Sequence, residues 1–157
     1  MDRKTADELR EDLEDFDIAM LVTKDGKFLR SRPMKPNINA DGTIRFLTSK
    51  KTHKVDEVDS APQANAVFSD DDGEYISVSG SIRLSDAQAD IDELWSPAAA
   101  PWFENGKAEA IVLIMEPEIA EYWDTSDSRI KAGWEMVKGA LGGSKPDLEG
   151  QHGKVVL

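Results

Sequence analysis

The chain has 157 residues, a formal net charge of −12 and no cysteine, a length that suits one domain with a core of its own. The lack of cysteine excludes disulfides, thiolate metal ligands and cysteine nucleophiles. The acidity opposes binding to nucleic acid or to anionic lipid, because both need a broad positive potential. No stretch approaches the roughly 20 apolar residues that cross a bilayer, and residues 1–16 contain no apolar signal-peptide core. We therefore expect a cytoplasmic protein.

The N-terminal pattern predicts a helix over about residues 5–16. Thr5 and Glu8 have the spacing of a capping box, and apolar residues follow at helical intervals. The period then changes to that of strands, and Asp-Gly pairs mark tight hairpin turns. Seven strands are predicted, at residues 18–23, 28–34, 43–48, 63–69, 75–84, 110–115 and 119–123.

Three further helices are predicted. One begins with Thr52 as its N-cap, and one is capped by Ser85 together with Gln88. The last has apolar residues at helical spacing over 130–141 and is followed by a polar tail.

Antiparallel strands joined by tight turns favour a barrel or a sandwich over a parallel sheet. We predict a single domain over residues 1–157 that is mainly β, with an antiparallel barrel and flanking helices. The C-terminal helix and tail occupy about residues 126–157.

Positive charge is concentrated in one part of this acidic chain. Residues 30–54 contain seven of the 19 Lys/Arg and one of the 31 Asp/Glu, so the window carries +6 and the remainder −18. A small positive island on a negative protein indicates a pocket for a small anion. The −18 elsewhere argues against a nucleic-acid-binding protein.

The island begins with the sequence RSRPMK. The strand period of two places Arg30 and Arg32 on one face and Lys35 nominally on the other. The alternative interpretation is an edge strand that charge protects from aggregation.

The island ends with TSKKTHK, residues 48–54. This segment combines hydroxyls, lysines and an imidazole with a predicted helix N-terminus, a combination that favours a phosphate group. The alternative is a solvated loop with an N-cap.

Other chemistry has little support in the sequence. His53 and Glu57 are four residues apart on a predicted helix, but the other histidine, His152, lies in the tail, so no metal site is predicted. There is no phosphate-binding Gly-rich loop and no nucleophile elbow. Trp102 and Trp123 lie in or beside loops, where an aromatic side chain can meet a ligand.

Several motifs in order carry a family resemblance: RSRPMK, T-x-x-x-T-H-K-V-D-E, YISVSG, LW, PWF and AEYWD. From about Met20 to the last helix, the chain resembles the general stress protein 26 group. That group belongs to the pyridoxamine 5′-phosphate oxidase-like, FMN-binding split barrels. The resemblance implies a split β-barrel and a homodimer that holds FMN in a groove between two barrels.

The resemblance also implies a role for each matching residue. Arg30 and Lys35 would lie along the flavin's phosphate, ribityl chain and ring edge, and Thr48 would contact polar atoms of the ring. Trp123 would border the ring from the other subunit. The backbone of Ser31, Arg32, Pro33 and Met34 would lie against the isoalloxazine. The phosphate would be held by Thr52, His53 and Lys54.

One departure from the oxidases concerns the C-terminal region. The Arg/His-rich segment that grips pyridoxal phosphate has no counterpart here, so oxidation of pyridoxamine phosphate is not expected. We expect an FMN-binding, stress-related protein with flavin-dependent oxidoreductase activity on an unknown substrate, and no catalytic residue is assigned. The alternatives are a non-catalytic flavin-binding or storage protein and a split-barrel enzyme that uses deazaflavin or haem.

Overall fold

A computed structural model describes residues 4–51, 62–124 and 152–157. Within these ranges the chain forms two α-helices, two short 3₁₀ turns and eight strands. The helices are α1 (Ala6–Leu13) and α2 (Gln88–Leu94), and the 3₁₀ turns are Ala100–Trp102 and Gly106–Glu109. The strands are β1 (Ala19–Asp25), β2 (Phe28–Met34), β3 (Asn37–Ile38), β4 (Ile44–Ser49), β5 (Gln63–Ser69), β6 (Glu74–Ser85), β7 (Ala110–Asp124) and β8 (His152–Val156). The helices predicted to begin at Thr52 and to cover 130–141 lie outside the described residues.

The first helix begins as predicted. The Thr5 hydroxyl accepts a hydrogen bond from the Glu8 backbone N–H at 3.3 Å, and the Glu8 carboxylate accepts one from the Thr5 N–H at 2.7 Å. This capping box satisfies two N–H groups that the helix itself cannot pair. The helix buries Leu9 and Leu13 in the core and ends at Leu13, three residues before the predicted end.

All the strand pairs are antiparallel, in the order β2-β1-β5-β6-β7-β4-β3, with β8 also paired to β7. The two ends of this path, β2 and β3, are joined through Lys35 and Pro36 alone. Three Cα–Cα steps span at most about 11 Å, so the sheet must curl until its two edges come close. No hydrogen-bonded ladder closes the sheet between these edges in the described residues. The fold is therefore the predicted one, an antiparallel split barrel with flanking helices.

The barrel interior is the main core. Inward residues alternate along each strand with outward ones, as the strand period requires. The largest buried side chains of this cluster come from α1, β1, β4, β5, β6 and β7: Leu9, Leu21, Ile44, Phe46, Phe68, Ile76, Val78, Ile82, Leu113 and Met115. A second, smaller cluster lies outside the barrel, where Ile91 of α2 and Phe103 pack against Val112 and Ile114 of β7.

The two strands predicted on either side of Glu116-Pro117 are one continuous strand, β7. Its pairing with β4 ends at Met115 and its pairing with β8 begins at Ile119. Pro117 lies in the gap between these two partners, where the missing N–H costs no ladder bond on that side. On the other side of β7, the pairing register with β6 shifts between Ser79 and Gly80. This shift is a β-bulge, which accommodates an extra residue in one of the two paired strands.

The predicted polar tail ends in a strand. In β8, His152, Lys154 and Val156 are exposed, whereas Gly153 is buried against Tyr122 of β7. A Cβ atom at Gly153 would lie 2.4 Å from the Tyr122 ring. Glycine is therefore what allows β8 to approach β7 here.

The predicted cap of α2 is wrong. The N-cap is Ala87, which makes no side-chain capping bond. The Ser85 hydroxyl instead bonds the Asp90 carboxylate and accepts a hydrogen bond from the Ala87 N–H at 3.3 Å. Ser85 is still the last residue of β6, so the helix starts later than the pattern predicts.

Candidate functional site at the open edge of the barrel

The basic strand β2 lies at one edge of the sheet and pairs with β1. Arg30 lies opposite Thr23 and Arg32 opposite Leu21. Thr23 and Leu21 are fully buried inward residues, so both arginines lie on the inward side, as the period of two predicts. Lys35 follows the strand and is exposed.

The two arginines have different neighbours on β1. The Arg30 guanidinium donates to the Asp25 carboxylate at 3.2 Å, in a pair that is about half exposed. The Arg32 guanidinium donates to the Thr23 hydroxyl at 2.6 Å. Exposed ion pairs contribute little because water screens them, whereas a bond to a buried hydroxyl fixes a side chain more firmly.

Thr48 lies at the end of β4, and its side chain is buried. In the β3–β4 ladder, Asn37 lies opposite Arg45 and Ile38 opposite Ile44. β3 follows β2 after Lys35 and Pro36, so the chain passes from β2 directly into the strand that pairs with β4. Inward residues thus lie on both strands at this edge of the barrel, Arg30 and Arg32 on β2 and Thr48 on β4.

The turn after β4 is held by one carboxylate. Glu109 accepts hydrogen bonds from the Ser49 hydroxyl at 2.8 Å and the Asn105 N–H at 3.1 Å, with the Lys51 amine 3.9 Å away. The Lys50 N–H donates to the Glu109 carbonyl at 2.8 Å. Glu109 therefore fixes the segment that leads directly into the predicted phosphate-binding residues.

Those residues, Thr52, His53 and Lys54, lie outside the described part of the chain. Trp123 is described and lies on the outward face of β7, stacked on the His152 ring at 4.9 Å and 4°. Four strand spacings separate β7 from β2 along the sheet, a distance of about 19 Å. Trp123 lies on the outward face of β7, whereas Arg30 and Arg32 lie on the inward side of β2.

The outward face of the sheet between β2 and β7 is accessible. Met20 is 37% exposed and Tyr75 44% exposed, with half-buried Val22 and Val67 beside them. A polar cluster lies in this face: the Asn65 side-chain amide donates to the Ser77 and Ser79 hydroxyls at 2.9 and 2.8 Å. The surface combines apolar side chains with satisfied polar ones, as protein–protein interfaces do.

Comparison with known proteins identifies the family. The sequence model described as "Pyridoxamine 5′-phosphate oxidase like" matches residues 4–147. The chain belongs to this family.

Relatives of this oxidase-like chain include general stress proteins. General stress protein 26 of Bacillus subtilis (strain 168) is 30% identical over 80 residues, which cover 48% of this chain and 56% of that protein. The chain thus spans about half the length of this curated relative. Among solved structures, one described as a general stress protein 26 from Jannaschia sp. CCS1 is 31% identical, with a TM-score of 0.69 over 94% of this chain and 95% of that one. The general stress FMN/FAD binding protein from Xanthomonas citri is 26% identical, with a TM-score of 0.68 over 90% and 95% of the two chains.

Family membership confirms the resemblance drawn from RSRPMK and the motifs after it. Sequence reasoning did not single out Thr23, Glu109 or His152 as neighbours of the site residues. The contacts of Glu109 and His152 join segments distant in sequence, which the strand period alone does not give. The contact of Thr23 with Arg32 is local to the β1–β2 hairpin, and the hairpin register was the signal that could have found it.

Three further observations concern a cavity, metal ligands and membrane-spanning helices. A cavity of about 260 Å³ lies between α1 and the β3–β4 turn, and its lining includes none of the predicted site residues. In residues 4–51, 62–124 and 152–157, no three His, Asp or Glu side chains group as metal ligands. The two helices that the structure describes are too short to cross a membrane.

We predict that Glu109→Gln lowers stability at neutral pH. The Asn105 N–H and the Ser49 hydroxyl hold the pKa of the Glu109 carboxyl below its ordinary value of 4.5. This contribution is present above pH 4.5 and is lost as pH falls through the lower folded pKa. Urea unfolding at pH 7 and at about pH 3 should therefore show a deficit for the variant that shrinks in acid. Exposed Glu118→Gln is the control, and an equal deficit at both pH values would contradict the assignment.

Proposed function

We propose that this chain is a single-domain, cytoplasmic, stress-related FMN-binding protein that acts as a flavin-dependent oxidoreductase in a homodimer. The observation that carries the proposal is the pair Arg30 and Arg32 on the inward side of the edge strand β2, in a barrel of this family whose β4 carries the buried Thr48. The FMN/FAD-binding protein of Xanthomonas citri, 26% identical over most of both chains, supports the choice of cofactor.

The chemistry of the available groups fits FMN. Its phosphate is a dianion that guanidinium and ammonium groups bind with charge-assisted hydrogen bonds. The described part of the opening supplies Arg30, Arg32 and Lys35, and the sequence supplies His53 and Lys54 after the turn that Glu109 fixes. The Thr48 hydroxyl is suited to a polar atom of the ring, since a buried hydroxyl seeks a hydrogen-bond partner.

In this proposal the protein's residues bind and orient the cofactor. Arg30, Lys35 and residues 52–54 hold its anionic end, and the backbone of Ser31–Met34 lies along the ring. Bound FMN itself supplies hydride or electron transfer. We assign no residue as general acid or base.

The position of Trp123 supports the proposed homodimer. Trp123 lies on the outward face of β7, opposite to the inward side on which Arg30 and Arg32 lie, and we propose that it borders the flavin of a second chain. The accessible outward face, with Met20 and Tyr75 exposed, is the surface that we propose for self-association. A hydrogen-bonded Asn65–Ser77–Ser79 cluster within it would enter the interface with its polar groups partly satisfied already.

A mixing experiment tests the shared site. We expect that a chain carrying Arg30→Ala and Lys54→Ala and a chain carrying Trp123→Ala each bind FMN weakly. After mixing and subunit exchange, a heterodimer would contain one site with both partners intact. With equimolar chains and free exchange, half of the dimers are heterodimers, so FMN binding by the mixture should recover toward about a quarter of the wild-type sites, with a dimer mass by light scattering. No recovery in a mixture shown to contain heterodimers, or a monomer that retains FMN, would contradict the proposal.

The oxidoreductase activity has its own test. We expect that anaerobic mixing of the FMN-loaded protein with NADH or NADPH bleaches the visible flavin band faster than the same donor bleaches free FMN. The matched control is free FMN at the same concentration. A rate equal to that of free FMN with both donors would favour flavin binding or storage over catalysis with these donors.

A further inference from the structure

Buried polar side chains are costly unless they are hydrogen-bonded, so each needs a physical reason. In the part of the chain that the structure describes, they are Thr23, Thr48 and Ser85. The Ser85 hydroxyl hydrogen-bonds the Asp90 carboxylate and the Ala87 N–H, just before α2. Thr48 belongs to the candidate site. Thr23 is the one that the fold and the proposed cofactor contacts leave unexplained.

Thr23 is 1% exposed on the inward side of β1. It lies opposite Arg30 of β2 and Ala64 of β5. Its hydroxyl is 2.6 Å from a guanidinium nitrogen of Arg32, two residues along β2. Thr23 thus lies on β1, the strand that pairs with β2, whereas the other buried threonine, Thr48, lies on β4.

Threonine has two properties that suit it to orient an arginine beside an anion site. Its hydroxyl accepts a charge-assisted hydrogen bond from the guanidinium, and it adds no negative charge of its own. The carboxylate of Asp25, which pairs with Arg30 at 3.2 Å, does add one. A long arginine side chain also loses rotamer entropy when a ligand orders it, and ordering it beforehand reduces that cost of binding.

We propose that Thr23 is a positioning residue of the flavin site: its buried hydroxyl holds the Arg32 guanidinium ready for the polar groups of a phosphorylated flavin. This inference rests on the proposed FMN binding, and it adds a residue that acts through Arg32 without touching the ligand. A purely structural hydrogen bond would instead change stability and leave flavin affinity unchanged.

Thr23→Val separates the two roles. Valine keeps the β-branched shape and volume and suits a strand, so we expect the unfolding midpoint to change little. The FMN dissociation constant, measured from the quenching of flavin fluorescence, should rise about tenfold. Thr23→Ser retains the hydroxyl and should keep nearly wild-type affinity, and Thr23→Ala, which also lacks it, should show the loss seen with valine.

A double-mutant cycle tests whether Thr23 acts through Arg32. In an Arg32→Ala background, Thr23→Val should cause no further loss of affinity, because contacting residues that act together are non-additive. Thr43→Val is the matched control: the Thr43 hydroxyl accepts from the Arg45 guanidinium at 3.1 Å in the β3–β4 turn. That variant should bind FMN like the wild type.

The outcomes distinguish this inference from the proposed function. If wild-type protein does not bind FMN, the proposed function fails and the role of Thr23 fails with it. If wild type binds FMN and Thr23→Val and Thr23→Ala bind it equally well, the role of Thr23 alone is overturned. A full tenfold loss in the Arg32→Ala background would also overturn it.

Discussion

Replacing Arg30 and Lys54 together by alanine is expected to weaken FMN binding by about two to four orders of magnitude. Each charge-assisted contact contributes roughly 1.5–3 kcal/mol, and the two side chains lie at opposite ends of the positive island. The lower part of this range is the better expectation for Arg30, because its guanidinium is about half exposed and already pairs with Asp25. Isothermal titration of the cofactor-free protein with FMN measures the change.

The matched control for this double variant removes two cations elsewhere. Arg83 and Lys107 are exposed and lie near Glu116 and Asp92, outside residues 30–54. Their double alanine variant changes net charge equally and should bind FMN like the wild type. Equal affinity of the Arg30/Lys54 variant and the wild type, with an unchanged unfolding midpoint, would refute the phosphate assignment. Equal losses in both double variants would show an effect of overall charge instead.

Gly80→Ala is expected to destabilise the fold by about 3 kcal/mol, at the upper end of the usual cost of overpacking. A Cβ atom at Gly80 would lie 2.0 Å from the backbone oxygen of Glu116. The contact is backbone at a β-bulge between the two longest strands, so no flexible side chain can move aside. Urea unfolding followed by tryptophan fluorescence measures the loss.

Gly26 provides the control for Gly80. It has a positive φ of 59°, and nothing lies within 4 Å of a Cβ added there. Asparagine tolerates this left-handed conformation better than other non-glycine residues, so Gly26→Asn should cost less than about 1 kcal/mol. A Gly80→Ala variant as stable as Gly26→Asn would mean that β6 and β7 separate at the bulge without penalty.

Local patterns predicted much of the barrel because its hairpins are local. Asp25-Gly26 sets the β1–β2 turn, and the strand period placed Arg30 and Arg32 on one face, as observed. The capping box of α1 is equally local: both of its bonds join residues three apart.

The features that escaped prediction depend on distant contacts. Pro117 suggested a break, yet β7 continues because its two partners on one side, β4 and β8, leave a gap there. β8 is only five residues long and depends on Gly153 fitting against Tyr122, 31 residues away in sequence. Such pairings belong to tertiary packing, which can override local propensity.

The candidate site divides in the same way. The period of β2 predicts which side its arginines occupy, but it does not reveal that Thr23 holds Arg32 or that Glu109 holds the turn after β4. The stacking of Trp123 on His152 depends on the pairing of β7 with β8, which the local pattern of neither strand gives.

The most direct test of cofactor binding is the visible absorption spectrum of the purified protein, before and after FMN is added and the sample is passed through a desalting column. Retention of a yellow flavin spectrum by the wild type, and its loss in the Arg30/Lys54 double variant, is the predicted result. A folded protein that remains colourless after incubation with FMN would contradict the account. It would leave the positive island of residues 30–54 as a site for a different anion.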